Sequence, residues 1–116
     1  MALTKTYSTA TWASGSATTS GTTNTVSTTG CYAAAWFVKV VVAGTPTTSF
    51  SFYVQQSPDG STLYNGPAYN APLVAGTYYY VFQLDPTCEL TDIVYTAQSG
   101  GTSSTLTAQL GEITGV

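Results

Sequence analysis

Histidine and arginine are absent from this 116-residue chain, and lysine occurs twice. Each absence excludes a class of function. Without histidine there is no ordinary proton shuttle near neutral pH and no imidazole metal ligand. A serine or cysteine nucleophile is left without its usual base. Two cysteines are too few for a cysteine-rich zinc site. Lys5 and Lys39 cannot form the basic patch that a nucleic acid or an anionic membrane surface requires. Charged residues total 6% of the chain, against roughly 25% in an ordinary soluble domain. A net charge of −3 on so few groups gives a weak long-range field, so electrostatic steering is not expected. No apolar run reaches the ~18 residues of a spanning helix. The opening Met1-Ala2-Leu3-Thr4-Lys5-Thr6-Tyr7 lacks the apolar centre of a secretory signal, and the initial Met favours a chain made in the cytoplasm without one.

What is present is β chemistry. Hydrophobic residues make up 43% and aromatic residues 13%, and the polar surface must come from Thr, Ser, Gly, Asn, Gln and Tyr. Nothing recurs at helical spacing behind a cap. Thr, Val, Tyr and Phe dominate between short Gly, Pro, Asn and Ser clusters, which is the pattern of an all-β sandwich or barrel. The expectation is one antiparallel β-sandwich or jelly roll of about eight short strands.

Residues 1–23 read as an N-terminal strand over Leu3 to Trp12 followed by a flexible Ser/Thr/Gly-rich arm, with the sandwich domain proper over 24–116. A short strand is expected at Asn24 to Thr28. Over Ala33 to Ala43, Trp36, Val38, Val40 and Val42 share one face and Ala35, Phe37, Lys39 and Val41 the other, which predicts a central strand. Gly44-Thr45-Pro46-Thr47 turns the chain, and Phe50, Phe52 and Val54 then alternate with Ser51, Tyr53 and Gln55. This predicts an antiparallel hairpin between the two strands. Further strands are expected at Ser61 to Tyr64, Thr77 to Leu84, Leu90 to Gln98 and Ser103 to Leu110. Between the third and fourth of the longer runs, Ser57-Pro58-Asp59-Gly60 has the residues of a tight turn in their proper places, and needs no ligand to explain it.

Few side chains suggest a site. Cys31 and Cys88 can form one bridge in an oxidising setting, or act as two buried thiols. Asp85, Glu89 and Asp92 fall in one predicted loop with hydroxyls and carbonyls, which reads as a solvated acidic corner or, less simply, a calcium site without EF-hand spacing. No residue set has the makings of a catalytic centre, so no enzyme activity and no cofactor are expected. Tyr78, Tyr80 and Phe82 fall on one strand face and Tyr79 and Val81 on the other. One face is core, and the other is a candidate contact surface, because Tyr offers area with little entropy to lose. Tyr32, Tyr64 and Tyr69 lie in or near predicted loops, where interfaces and sugar platforms both use such rings.

The run Tyr53-Val54-Gln55-Gln56-Ser57-Pro58-Asp59-Gly60-Ser61-Thr62-Leu63-Tyr64 resembles a VQxSxDGxxW-like hairpin of small β-sandwich proteins in tailed-phage virions, capsid decoration (cement) proteins and tail components among them. A related hairpin occurs in discoidin-like carbohydrate-binding modules. Leu63-Tyr64 stands where a Trp is common. The resemblance implies a virion structural protein, made in the host cytoplasm, that seats on a major capsid protein or another virion protein as a homo-oligomer, often a trimer. It transfers no catalytic residue. The interface residues expected on this reading are Leu3, Tyr7, Trp12, Tyr64 and Tyr69. The alternatives are a glycan-binding module using Trp12 or loop Tyr residues, and a tail or neck subunit.

Overall fold

The computed structural model describes residues 4–13, 20–23, 25–100 and 104–115, with side chains from residue 20 onward except residue 115. Ten strands follow in chain order: β1 Thr4–Ala13, β2 Ser20–Thr22, β3 Val26–Ser27, β4 Ala33–Val42, β5 Ser51–Ser57, β6 Tyr64–Asn65, β7 Tyr69–Asn70, β8 Gly76–Gln83, β9 Leu90–Thr96 and β10 Ser104–Gly115. They form two antiparallel sheets. The four-stranded sheet runs β1-β10-β4-β8; the six-stranded sheet runs β2-β9-β5-β6, with β3 also on β9 and β7 also on β5. The all-β sandwich read from the sequence is the fold observed; β3 lies within the short strand expected at Asn24 to Thr28, the strand expected at Ser61 to Tyr64 is reduced to β6 at its end, and β7 is added.

Alternation places the core. Trp36, Val38, Val40 and Val42 of β4 are buried beside Leu106, Ala108 and Leu110 of β10. From the other sheet they meet Phe52 and Val54 of β5, Ile93 and Tyr95 of β9, and Phe50 just before β5. Each large aliphatic or aromatic side chain buried in this way stabilises the fold by roughly 1.5–3 kcal/mol. Phe52 is a hub: the rings of Tyr80 and Phe82 stand edge-on to it at 5.2 and 5.6 Å. Phe50 stacks on Tyr95 at 6.2 Å. Edge-to-face and offset rings add attraction beyond the area they bury.

One expectation is corrected. β4 and β5 do not form a hairpin. They belong to opposite sheets, β4 between β10 and β8, β5 between β9 and the β6/β7 edge. The connection is drawn across by the end of β9: the Thr47 N–H donates to the Ser99 carbonyl at 2.7 Å, and Thr48 bridges Ser99. Pro46 is buried within the crossing. Residues 14–19 of the stretch expected as a flexible arm lie outside the described residues; at its end β2 is in register with Val94, Tyr95 and Thr96 of β9. Gly21 fits there because a Cβ would come within 2.8 Å of the Tyr95 hydroxyl. The N-terminal strand β1 pairs with β10 of its own chain, from Thr4↔Gly115 to Ala13↔Thr105.

Candidate functional site

The Ser57–Gly60 corner is a turn. Asp59 Oδ1 accepts the N–H groups of Ser61 and Thr62 at 2.9 and 2.8 Å and the Ser57 hydroxyl at 3.1 Å. Those donors hold its carboxyl down at about 2, with the Thr62 N–H the largest cause. Gly60 takes φ of +80°, the left-handed conformation that glycine adopts without strain. These contacts of Oδ1 shape the corner from within, as the turn residues predict.

The acidic loop does not converge. Asp85 Oδ1 accepts the N–H and hydroxyl of Thr87 at 2.9 and 2.7 Å, closing a local turn. Asp92 is buried on β9 opposite Gln55, where burial raises its carboxyl above the usual range and the Thr25 hydroxyl donates from 3.4 Å. Among the described residues, no three His, Cys, Asp or Glu side chains gather as a metal site would require. Cys31 and Cys88 are free thiols. The Cys31 thiol donates to Glu112 at 3.1 Å, and burial, then Glu112, pushes it up to about 11. Cys88 lies beside the Thr28 hydroxyl at 3.2 Å. The bridge considered from the sequence is therefore not formed here.

What remains is surface, and one part of it is distinctive. On the outer face of the four-stranded sheet, Phe37 is 45% exposed, Tyr79 75% and Val81 62%. The register explains why they adjoin: Phe37 pairs with Val81 on β8 and Gln109 on β10, and Lys39 pairs with Tyr79 and Thr107. The result is an apolar patch on a pleated surface, with Lys39 beside Tyr79. Toward the Ala33 end, the small residues Ala33, Ala35 and Gly111 leave a depression of about 440 Å³ walled by Phe37, Gln83 and Ile113. Exposed apolar residues that adjoin in this way, unlike a scattering of single ones, make this face the candidate contact surface.

Of the residues expected at an interface, Tyr64 and Tyr69 belong to the other sheet. Leu3 lies outside the described residues. Tyr7 and Trp12 belong to β1, of which the backbone is described, and pair with Gly111 and Leu106. Tyr64 is 61% exposed on β6, against β5 in the other sheet. Tyr69 is 37% exposed, but its ring packs on Phe82 at 4.7 Å and on Phe52 at 6.0 Å, closing the core from the side. Alternation put Tyr79 and Val81 on one face of their strand; the structure shows that this face is the exposed one. Phe37 is the member that sequence reasoning missed, because a run apolar on both faces predicts a central strand and does not show which face is exposed. Lys39, two residues on and on the same face, was the signal that this face meets water.

No family profile matches the chain, and no curated protein matches it in sequence. Among solved structures, the fold is similar to the SPBc2 prophage-derived protein YomS, with 13% identity over 97% of this chain and 96% of that one and a TM-score of 0.58. It is also similar to the K3 cleaved adhesin domain of Lys-gingipain from Porphyromonas gingivalis W83, with 12% identity, 78% and 62% coverage and a TM-score of 0.55. A third likeness is to a Bacillus endospore appendage from a family of disulfide-linked pili, with 8% identity, 98% and 89% coverage and a TM-score of 0.51. At these identities the likeness shows the fold alone. Among the described residues, no helix is long and apolar enough to cross a membrane.

Proposed function

We propose that this chain is a non-enzymatic structural subunit of a virion, of the capsid decoration type, which binds a lattice of major capsid proteins through uncharged contact. The observation that carries the reading is the outer face of the four-stranded sheet, where Phe37, Tyr79 and Val81 form an exposed apolar patch on a stiff, nearly uncharged wall. A patch with so little charge has little for salt to screen. Binding a usual ~800 Å² per subunit, several linked copies gain avidity without any single strong site. The hairpin resemblance and a fold shared with a prophage-derived protein and with a pilus component support the reading.

The test is co-sedimentation of the pure protein with empty capsids. Binding that falls at least tenfold in Phe37→Ser, with an unchanged circular-dichroism spectrum, supports the proposal; a tenfold loss is about 1.4 kcal/mol, within reach of one interface ring. Binding to tails and not to shells moves the subunit to the tail or neck. Saturable glycan binding abolished by Tyr64→Ala, with no capsid binding, overturns the reading in favour of a carbohydrate module.

A further inference from the structure

β8 is an outer strand of its sheet: β4 pairs with one side, and no strand of the described chain pairs with the other. The phase of its hydrogen bonds is fixed by the Leu84 N–H, which donates to the Ala34 carbonyl at 2.9 Å. Along an antiparallel strand, successive residues aim their backbone groups at alternate sides. Phe82, Tyr80 and Tyr78 therefore bond with β4, through their partners Trp36, Val38 and Val40. Thr77, Tyr79, Val81 and Gln83 aim both N–H and C=O at the open edge.

An open row of this kind is a template for another strand, and natural edges are usually guarded by charge, proline, a bulge or a covering segment. Gly76–Gln83 contains no charged residue and no proline, and its register with β4 runs without a shift. The strand also reads alike in both directions about Tyr80. Tyr79 and Val81 are both exposed on the outer face, Tyr78 and Phe82 are both half-buried on the inner face, and Thr77 and Gln83 are both polar and exposed. That symmetry is what a two-fold contact between identical strands requires.

We propose that two copies of this chain pair through β8, antiparallel about a two-fold axis at Tyr80, joining their four-stranded sheets into one continuous sheet. Tyr79 then lies opposite the partner's Val81, Tyr78 opposite the partner's Phe82 and Thr77 opposite the partner's Gln83. Aromatic–aliphatic, aromatic–aromatic and polar–polar pairs of this sort are the favourable cross-strand combinations. The backbone groups of Thr77, Tyr79, Val81 and Gln83 all find partners in this register, because the residues that meet are those that face outward on both strands. No like charges oppose. The nearest cation, Lys39, sits one strand in, so the two copies' ammonium groups stand three strand spacings apart, ~14 Å, beyond a Debye length of ~8–10 Å. The pairing also merges the two Phe37–Tyr79–Val81 patches into one strip. It makes a pair, where the sequence resemblance implies a trimer, and it stands apart from the virion reading because it is measured on the protein alone.

The test uses the full chain in sedimentation equilibrium and in a cross-linking mixture. A reversible dimer is expected, converted to monomer by Val81→Lys with the β spectrum intact. Independently, oxidising a mixture of Tyr79→Cys chains and Val81→Cys chains should give a cross-linked dimer that neither variant gives alone, since directly opposed residues lie ~5.5 Å apart, within disulfide range. A chain that stays monomeric, a trimer, a dimer indifferent to Val81→Lys, or cross-linking equal in each variant alone would overturn the proposal.

Discussion

The indole N–H of Trp36 donates to the Thr91 hydroxyl at 3.0 Å, and Thr91 donates in turn to the Gln55 carbonyl at 2.7 Å. Trp36 belongs to the four-stranded sheet and Thr91 to the six-stranded one, so this is a polar tie through the core of the sandwich. Both side chains are fully buried. Apolar contact alone tolerates sliding of one sheet over the other; a directed bond between fixed donors does not.

Thr91→Val keeps the shape and removes the hydroxyl. It should cost about 1–3 kcal/mol in urea unfolding, because the buried indole N–H is left unpaired. In a Trp36→Phe background the same change should cost much less, as the stranded donor is gone. A loss under about 0.5 kcal/mol in the native background would mean the tie is not a stabilising one.

Asp92 carries the opposite sign. Its carboxyl is buried and one oxygen, Oδ1, has no partner, so the charged form is disfavoured and its titration is pushed up. A raised carboxyl contributes stability below its unfolded value, and that contribution is lost as pH rises through the folded value. Asp92→Asn should therefore raise the melting temperature at neutral pH, and the gain should shrink on acidification as the native carboxyl takes up its proton. A variant less stable than the native protein at neutral pH would show that the charge is held by something stronger than the Thr25 hydroxyl.

Asp59 titrates the other way. Its carboxyl is lowered from 3.8 to about 2 by the Thr62 and Ser61 N–H groups. The stabilisation it gives the turn is present above 3.8 and disappears as pH falls through about 2. The stability gap between the native chain and Asp59→Ala should accordingly narrow over that acid window. A gap that stays constant with pH would place the turn's strength in Pro58 and Gly60 instead.

Cys31 should alkylate slowly. A thiol raised from 9.0 to about 11 holds about a hundredfold less thiolate at neutral pH than an ordinary one. Iodoacetamide labelling followed by mass spectrometry should show a slow Cys31 in the folded chain, accelerated by Glu112→Gln, which removes the acceptor's negative charge. Labelling at the rate of an unfolded peptide would contradict the burial of the thiol together with its contact with Glu112.

Strand faces were legible in the sequence because a period of two leaves its mark on every residue: β4 and β5 bury the side chains their alternation assigns. The turn at Asp59 was legible because Ser, Pro, Asp and Gly each have one local role there. Sheet membership was not. Gly44-Thr45-Pro46-Thr47 is as fit for a hairpin as for a crossing, and what decides between them is a bond to Ser99, 52 residues from Thr47. β2 was hidden because Ser20–Thr22 has no apolar alternation and is ordered by pairing with β9. At the contact surface, Tyr79 and Val81 could be placed on one face but their exposure could not, since only the assembled sandwich shows which face lies against the core.

The most direct test of contact without charge is the salt dependence of binding to the capsid lattice proposed as its partner. Between about 0.1 M and about 1 M salt the Debye length falls from ~10 to ~3 Å, and affinity should change by no more than about twofold. A fall of a hundredfold or more across that range would mean that ion pairs hold the complex, contradicting the account at its centre.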